Sequence, residues 1–175
     1  MSSSDVVKTA ALRLLKLAGI KKAPINVEEL AGRVGAIVSF EPFKEELSGV
    51  LVKEKTRIVI GVNSSHPRTR QRFTIAHEIG HLELRHQGEI FVDKTVMRRD
   101  DRSSQAIDRQ EIDANRFAAE LLMPEDLILE SMHRLQDTKS NDSTSELIAD
   151  LAQEFQVSSQ AMEYRLTNLG IFMPQ

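Results

Sequence analysis

The sequence contains no cysteine, and it has no apolar run long enough to span a lipid bilayer. The first absence excludes disulfides and thiolate metal sites, so any metal must be held by histidine and carboxylate side chains. The second argues against a transmembrane helix. Charged residues also interrupt the apolar positions near the N-terminus, where a signal peptide would need a continuous apolar core. We therefore expect a cytoplasmic protein with no membrane segment.

Neither sign of charge dominates the chain, whose 175 residues carry a formal net charge of −3 at pH 7. This balance provides no general attraction to nucleic acid or to an anionic membrane, and it disfavours direct DNA binding. The hydrophobic content of 41% and the charged content of 28% are ordinary for a globular protein. The length suits one compact domain, or one domain with a small appendage, and leaves the oligomeric state undetermined.

Hydrophobic periodicity and turn signals predict an α+β protein, in which a small three-stranded sheet packs on helices. The strands are predicted at 36–40, 49–52 and 57–62. The helices are predicted at 5–18, 26–34, 107–123, 125–135, 143–155 and 159–168, with one more that starts after a cap at Ser64 or Ser65 and ends near Arg85.

Capping boxes are predicted where Asn26 is followed by Glu29 and where Ser143 is followed by Glu146. Residues 87–106 are polar and predicted to be irregular apart from a short apolar stretch at 90–92, and 137–143 form a predicted polar linker. We therefore predict one domain over residues 1–136. Residues 137–175 would then comprise the linker and a C-terminal helical hairpin that lies on or beside this domain.

Residues 77–81 read His-Glu-Ile-Gly-His, the most informative pattern in the chain. On an α-helix, residues four apart share a face, so His77 and His81 can bind one zinc ion. Glu78 would lie beside this metal and accept a proton from water. Shuffling this composition yields about 0.01 matches to the pattern. Because the surrounding segment is apolar and unpaired ionisable groups are costly to bury, the metal site is favoured over two ordinary polar histidines.

A catalytic zinc normally has three protein ligands, and the candidates for the third are His86, Glu111 and Asp113. His86 follows His81 by five residues, which rotates it about 140° away on a continuous helix. We interpret it as a helix-end residue. Glu111 shares a helix face with small residues that would allow a close approach to Gly80, whereas Asp113 lies on another face. Helix geometry therefore favours Glu111, with Asp113 as the alternative.

Longer segments around these residues resemble a known family. Residues 72–81 (Arg-Phe-Thr-Ile-Ala-His-Glu-Ile-Gly-His) and residues 111–124 (Glu-Ile-Asp-Ala-Asn-Arg-Phe-Ala-Ala-Glu-Leu-Leu-Met-Pro) closely resemble the ImmA/IrrE family of zinc metallopeptidases. Residues 59–64 and 155–170 are also similar to that family. The resemblance extends over roughly residues 24–172, and the second segment is far more specific than the pentapeptide alone.

The resemblance implies an endopeptidase with a zincin-like core, in which His77, His81 and Glu111 hold zinc, with manganese as an alternative metal. Asn115 matches the position where related zincins place an Asp or Asn that supports a ligand histidine. Characterised relatives cleave a helix-turn-helix repressor, and others accompany toxin–antitoxin loci. The resemblance therefore implies that the partner is a small helix-turn-helix repressor or an antitoxin.

In this reaction Glu78 would pass a proton from water to the leaving amine while the metal polarises the carbonyl. His66, His86 and Tyr164 are candidates for a further donor to the oxyanion, each against the simpler interpretation of a surface or packing residue. The strands before the histidine helix could offer an edge for an extended substrate. The alternative function is a non-catalytic, metal-stabilised module that sequesters a repressor or toxin. The intact Glu78 disfavours it, because a pure binder needs no general base.

The C-terminal hairpin has helix-turn-helix-like spacing, with residues 157–159 as its turn. Its second helix carries one strong cation, Arg165, close to Glu163, whereas a helix that reads DNA is normally more basic. We therefore expect the hairpin to pack on the core or to shape substrate access.

Overall fold

The described part of the chain folds into seven helices and one four-stranded sheet. The computed structural model describes residues 2–94, 104–138 and 143–172. The helices are α1 (Ser3–Ala18), α2 (Val27–Arg33), α3 (Arg68–Glu83), α4 (Ser104–Leu122), α5 (Glu125–Thr138), α6 (Thr144–Phe155) and α7 (Ser159–Asn168). The strands are β1 (Ala36–Glu41), β2 (Leu47–Lys53), β3 (Ile58–Asn63) and β4 (Ile90–Lys94). Within these ranges no helix is both long and apolar enough to cross a membrane.

The α+β class predicted from the sequence is confirmed, with the strand order β1-β3-β2-β4. β1 and β3 are parallel, and the other two pairs are antiparallel. Because side chains alternate along a strand, Leu51 and its cross-strand partner Ile60 both point to one face, where they are fully buried. Ile37 of β1 lies 60% exposed. The helices therefore cover one face of the sheet more completely than the other.

Helix α3 is central, because it packs on β2 and β3 on one side and on α4 on another, and α4 packs in turn on α1. Every residue of α3 from Thr74 to His81 is buried. The polar side chains in this stretch therefore have to find their partners among the neighbouring elements rather than in solvent.

Several helix ends follow the local sequence signals. Ser143 and Glu146 form the predicted capping box at the start of α6. Gly19 ends α1 in the left-handed conformation, with φ of 70°, which glycine adopts without steric cost. These boundaries are determined locally, and the predicted and observed helices agree there.

Two predicted helix starts need correction. At α2, Asn26 accepts the predicted hydrogen bond from the Glu29 backbone, but the Glu29 carboxylate binds an arginine one turn later, so half of the predicted box forms. The predicted cap of α3 at Ser64 or Ser65 is wrong. Both serines lie in the preceding turn, and α3 begins after Pro67 without a side-chain cap. Proline suits this position because it has no amide proton to satisfy.

The prediction of three strands is also wrong, because β4 adds a fourth strand within the segment predicted to be irregular. It pairs antiparallel with β2, and Phe91 lies opposite Leu51. The strand has only five residues and polar neighbours, so its alternation is a weak signal. Residues 95–103 of the predicted irregular segment and residues 139–142 of the predicted linker lie outside the described residues.

At the C-terminal end, α7 packs on α6, and Arg165 of α7 joins it to α4. The guanidinium group donates to both carboxylate oxygens of Glu120, at 2.8 and 2.6 Å, and Nε donates to the Met123 carbonyl at 2.9 Å. The Arg165 side chain is only 6% exposed. The strong cation of this helix is therefore used inside the protein and is not presented to a DNA phosphate.

Candidate metal centre

Helix α3 brings two histidine rings together on one face. His77 and His81 are one turn apart, and their Nε2 atoms lie 3.0 Å from each other. Both side chains are buried, with exposed fractions of 3% and 0%. The spacing noted in the sequence thus places two imidazole nitrogens at one point inside the protein.

Helix α4 brings Glu111 to the same point. Its Oε2 atom lies 3.1 Å from His77 Nε2, and its Oε1 atom lies 3.4 Å from His81 Nε2. The two helices approach closely because Gly80 has no side chain. A Cβ atom there would lie only 3.2 Å from the Cα atom of Ala114. This is the close approach expected from the small residues of α4, and it determines how near Glu111 comes to the histidines.

The three side chains have the spacing and chemistry of a metal site. One ligand atom from each lies within 4.8 Å of the others. A tetrahedral zinc ion with bonds of about 2.0–2.1 Å requires ligand atoms about 3.3 Å apart. The observed separations of 3.0, 3.1 and 3.4 Å are close to this value. Imidazole nitrogens and a carboxylate are also ligands that zinc accepts, so the residues present fit the ion.

The other ring nitrogen of each histidine also has a partner. Nδ1 of His77 lies 3.0 Å from Oδ1 of Asn115, which follows Glu111 by one turn of α4. Nδ1 of His81 lies 2.9 Å from Nδ1 of His86. In both rings Nε2 faces the cluster, so a metal bound there leaves the proton on Nδ1, where it is donated to the partner.

Contacts among His77, His81 and Glu111 shift the pKa values of these side chains. Burial alone would raise the pKa of Glu111, but its contacts with His77 and His81 lower that pKa to about 2. Burial would lower the pKa of His77, yet Glu111, Glu78 and Asp93 together raise it. For His81 burial prevails, and its pKa is lowered. Glu111 is thus ionised at neutral pH, which is the form that binds a cation.

Glu78 lies beside the cluster and is fully buried. Neither of its carboxylate oxygens has a hydrogen-bond partner among the described residues. Burial raises the pKa of Glu78 to about 8, against the opposing effect of His77. A Cβ atom on Gly49 would lie 3.7 Å from its Oε1 atom, so β2 runs close by. A buried carboxyl with unused lone pairs beside candidate metal ligands is suited to accept and return a proton.

Asp93 of β4 also belongs to this neighbourhood, and the sequence analysis missed it. Burial raises the pKa of Asp93, and the group is close enough to His77 and Glu111 to interact with both. It shares a strand face with Phe91, whose ring centroid lies 4.4 Å from that of His81. The short apolar stretch at residues 90–92 is the sequence signal for this strand, whereas the position of Asp93 beside the cluster depends on the pairing with β2.

A cleft of about 320 Å³ lies against the first half of α3. Phe73 lies one turn before His77, and their ring centroids are 6.5 Å apart. The cleft is lined by residues of α3, of the turn between α6 and α7, and of α7: Thr69, Arg70, Phe73, Val157, Ser158 and Ala161. The turn between α6 and α7 and the start of α7 thus form one wall of a cleft that reaches Phe73, one helical turn from the candidate ligand His77.

Other residues considered in the sequence have different surroundings. Asp113, the alternative third ligand, accepts a hydrogen bond from Ser3 at 3.0 Å and is not in the metal-ligating group. The His66 ring lies 3.0 Å from the Glu45 carbonyl. Tyr164 is 65% exposed on α7. A role for either of these two rings in oxyanion binding stays a prediction.

Comparison with known proteins identifies the family. The family model for the IrrE N-terminal-like domain, a peptidase family, matches residues 31–167. The chain belongs to this family. The resemblance to ImmA/IrrE proteins is thereby confirmed, and membership of the family supports a metallopeptidase-type function.

Individual relatives of this IrrE-like chain show how far the similarity extends. The radiation response metalloprotease IrrE of Deinococcus radiodurans is 31% identical over 171 residues, covering 95% of this chain and 48% of IrrE. The uncharacterized immunity region protein 2 of Bacillus phage phi105 is 29% identical over 120 residues, 69% of this chain and 70% of that protein.

A solved structure, a Mycobacterium tuberculosis transcriptional regulator, is similar in fold, with a TM-score of 0.62 at 19% identity. The match covers 93% of this chain and 46% of the regulator. The chain therefore spans about half the length of this regulator and of IrrE.

Proposed function

We propose that this protein is a zinc-dependent endopeptidase, in which His77, His81 and Glu111 bind the metal and Glu78 is the general base. The observation that carries this proposal is the convergence of three ligand atoms beside a buried carboxylate without a hydrogen-bond partner. Only three protein ligands converge among the described residues, and catalytic zinc sites keep the remaining position for water. Membership of the IrrE-like peptidase family supports the same activity.

The protein side chains have distinct roles in this reaction. A zinc ion, when bound, supplies Lewis acidity to water and to the scissile carbonyl. Glu78 accepts the proton that water loses on attack and returns it to the leaving amine. Burial raises the pKa of Glu78 in the metal-free protein, and a bound cation would favour the ionised form, which can accept this proton. Asn115 holds the ring of His77 in place, and manganese is the alternative metal for the same ligands.

We further propose that residues 1–136 form a zincin-like peptidase unit and that the helix-turn-helix-like hairpin of residues 137–175 packs on it. The buried pair of Arg165 and Glu120 supports this arrangement, because it connects α7 to α4 directly. Since α7 also lines the cleft at Phe73, whose ring is next to that of His77, the hairpin would shape the path of the substrate rather than bind DNA.

The proposed substrate is a helix-turn-helix repressor or an antitoxin. Relatives of this chain include a phage protein named for an immunity region, which supports a connection to repressor control. The edge strand beside the candidate metal ligands is β4, which follows α3, and not one of the strands before α3 as the sequence suggested; its Asp93 lies close to these ligands. An extended segment of the substrate can therefore add to this edge and cross the metal centre.

Cleavage can be tested with purified components. A small helix-turn-helix regulator encoded beside this protein is incubated with it and zinc or manganese, and the products are measured by intact mass. We expect metal-dependent cleavage at one position, blocked by a chelator and absent in Glu78→Gln. A Glu78→Gln protein that cleaves at the wild-type rate would remove Glu78 from the mechanism.

The ligand assignment is tested by metal analysis of variants. Glu111→Gln is expected to lose zinc, whereas Asp113→Asn is the matched control on the same helix and is expected to keep it. The opposite result would move the third ligand to Asp113. Stable binding of the regulator without any cleavage in zinc would instead favour the alternative function, a metal-stabilised module that sequesters a repressor or toxin.

A further inference from the structure

His86 contacts the ring nitrogen of His81 that points away from the cluster. The two Nδ1 atoms lie 2.9 Å apart, and the ring centroids are 5.0 Å apart with an interplanar angle of 72°. Because Nε2 of His81 faces His77 and Glu111, a metal bound there leaves the His81 proton on Nδ1. His86 then accepts this proton in a hydrogen bond with its own Nδ1 and carries its ring proton on Nε2.

The backbone returns His86 to this position. α3 ends at Glu83, and Arg85 adopts a left-handed conformation with φ of 55°. The His86 amide then donates to the His81 carbonyl at 3.0 Å, and the Arg85 amide donates to the Leu82 carbonyl at 3.1 Å. This pair of bonds is a Schellman motif. The two histidines are therefore joined twice, by a backbone hydrogen bond and by a side-chain hydrogen bond.

Strands β2 and β4 hold the same pair from the side of the sheet. Nζ of Lys53 donates to the His86 carbonyl at 2.8 Å and lies 4.6 Å from the centroid of the Phe91 ring. The Phe91 ring lies 4.4 Å from the His81 ring. Residues from two strands and from the turn after α3 thus enclose His81 in one orientation.

We propose that His86 is a positioning residue, which fixes the tautomer and orientation of His81 so that Nε2 is presented to the metal. This inference rests on the proposed metal site. Metal-binding histidines usually donate their second N–H to a carboxylate, a carbonyl or water. Here an imidazole takes that role for His81, and an amide oxygen, that of Asn115, takes it for His77.

The zinc affinity of the full chain tests this role, measured by competition with a chromophoric chelator. His86→Leu keeps an apolar side chain in place but offers no acceptor, and we expect zinc binding to weaken about 10–100-fold. His86→Asn can place an oxygen near the position of Nδ1, and we expect it to recover most of the lost affinity. His133→Leu, on an exposed histidine of α5, is the matched control and should bind zinc like the wild type.

Two further measurements separate positioning from packing. Urea unfolding of the chelator-treated variants reports stability, and the visible spectrum of the cobalt-substituted proteins reports ligand geometry, which should change in His86→Leu and recover in His86→Asn. Equal losses of affinity in the two variants would indicate packing and overturn the proposal, as would wild-type affinity in His86→Leu. A wild-type chain that binds no zinc would overturn the metal site itself, whereas zinc binding that is insensitive to His86 overturns this inference alone.

Discussion

In the metal-free protein, the stability of Glu78→Gln relative to the wild type should rise with pH. Glu78 is fully buried, neither oxygen has a partner among the described residues, and burial raises its pKa from 4.5 to about 8. Because the folded-state pKa exceeds the unfolded one, the unfolded chain loses this proton first as pH rises. The contribution of Glu78 to the free energy of unfolding is therefore fully present below about pH 4.5 and is lost progressively up to about pH 8.

The magnitude follows from the size of the shift. Each pKa unit corresponds to about 1.36 kcal/mol, so the free energy of unfolding contributed by Glu78 should fall by about 3 kcal/mol between pH 5 and pH 8. Glutamine does not titrate, and any cost of its buried amide is the same at both pH values. The difference in unfolding free energy between Glu78→Gln and the wild type should therefore widen by this amount.

Urea unfolding in the presence of a chelator, at several pH values, measures this difference. Glu163→Gln is the matched control, because it makes the same substitution at an exposed carboxylate on α7. Adding zinc should reduce the pH-dependent difference in unfolding free energy between the variant and the wild type, because a nearby cation favours the ionised form of Glu78. A difference that stays constant from pH 5 to pH 8 would refute the argument that burial holds this group protonated.

Three further changes test the packing around the site. Glu120→Ala leaves Arg165 charged and buried without its partner, and we expect a loss of about 3–5 kcal/mol in urea unfolding; a loss below 1 kcal/mol would show that the pair is not buried in solution. Gly80→Ala adds a methyl group 3.1 Å from the nearest α4 side chain. It should cost about 1–3 kcal/mol and weaken zinc binding, and unchanged zinc affinity would contradict the proposed coupling between helix spacing and the site. Ala161→Phe narrows the cleft and should raise KM for peptide cleavage with little change in urea stability, whereas Gln160→Phe, on an exposed neighbour, should not; equal KM values would exclude the cleft from substrate binding.

The sequence was most informative where all the residues of a pattern lie in one helix or at one helix end. The spacing of His77 and His81 needs only the regular geometry of a helix, and the cap of α6 needs only four consecutive residues. The choice of Glu111 over Asp113 needed one more step, the close approach of α4 at Gly80, which small residues made visible in the sequence. The first two features are short-range, so periodicity and capping patterns were enough to predict them, whereas the α4 approach is a tertiary contact that residue size only indicated.

The missed features depend on long-range or conformational information. β4 is short, and it becomes a strand by pairing with β2, about 40 residues earlier in the chain. Asp93 could not be placed near the cluster without that pairing. His86 was assigned to the far side of a continuous helix, but α3 ends before it, and the left-handed turn occurs at Arg85, where the sequence has no glycine to signal it.

The geometry of the candidate site is therefore a property of packing on both sides of α3 rather than of the helix alone. Gly49 of β2 lies so close that a Cβ atom would be 2.3 Å from the side chain of Thr74, and a Cβ atom on Gly80 would be 3.1 Å from the Phe117 side chain of α4 on another side. α3 supplies two nitrogens and the Glu78 carboxyl by its own periodicity, whereas the carboxylate of Glu111 arrives through the α4 contact. Because the nitrogen and oxygen atoms must lie about 3.3 Å apart to bind one ion, a helix shift of about 1 Å is enough to weaken metal binding. Metal affinity should accordingly respond to substitutions at these glycines, even though neither contributes an atom to the site.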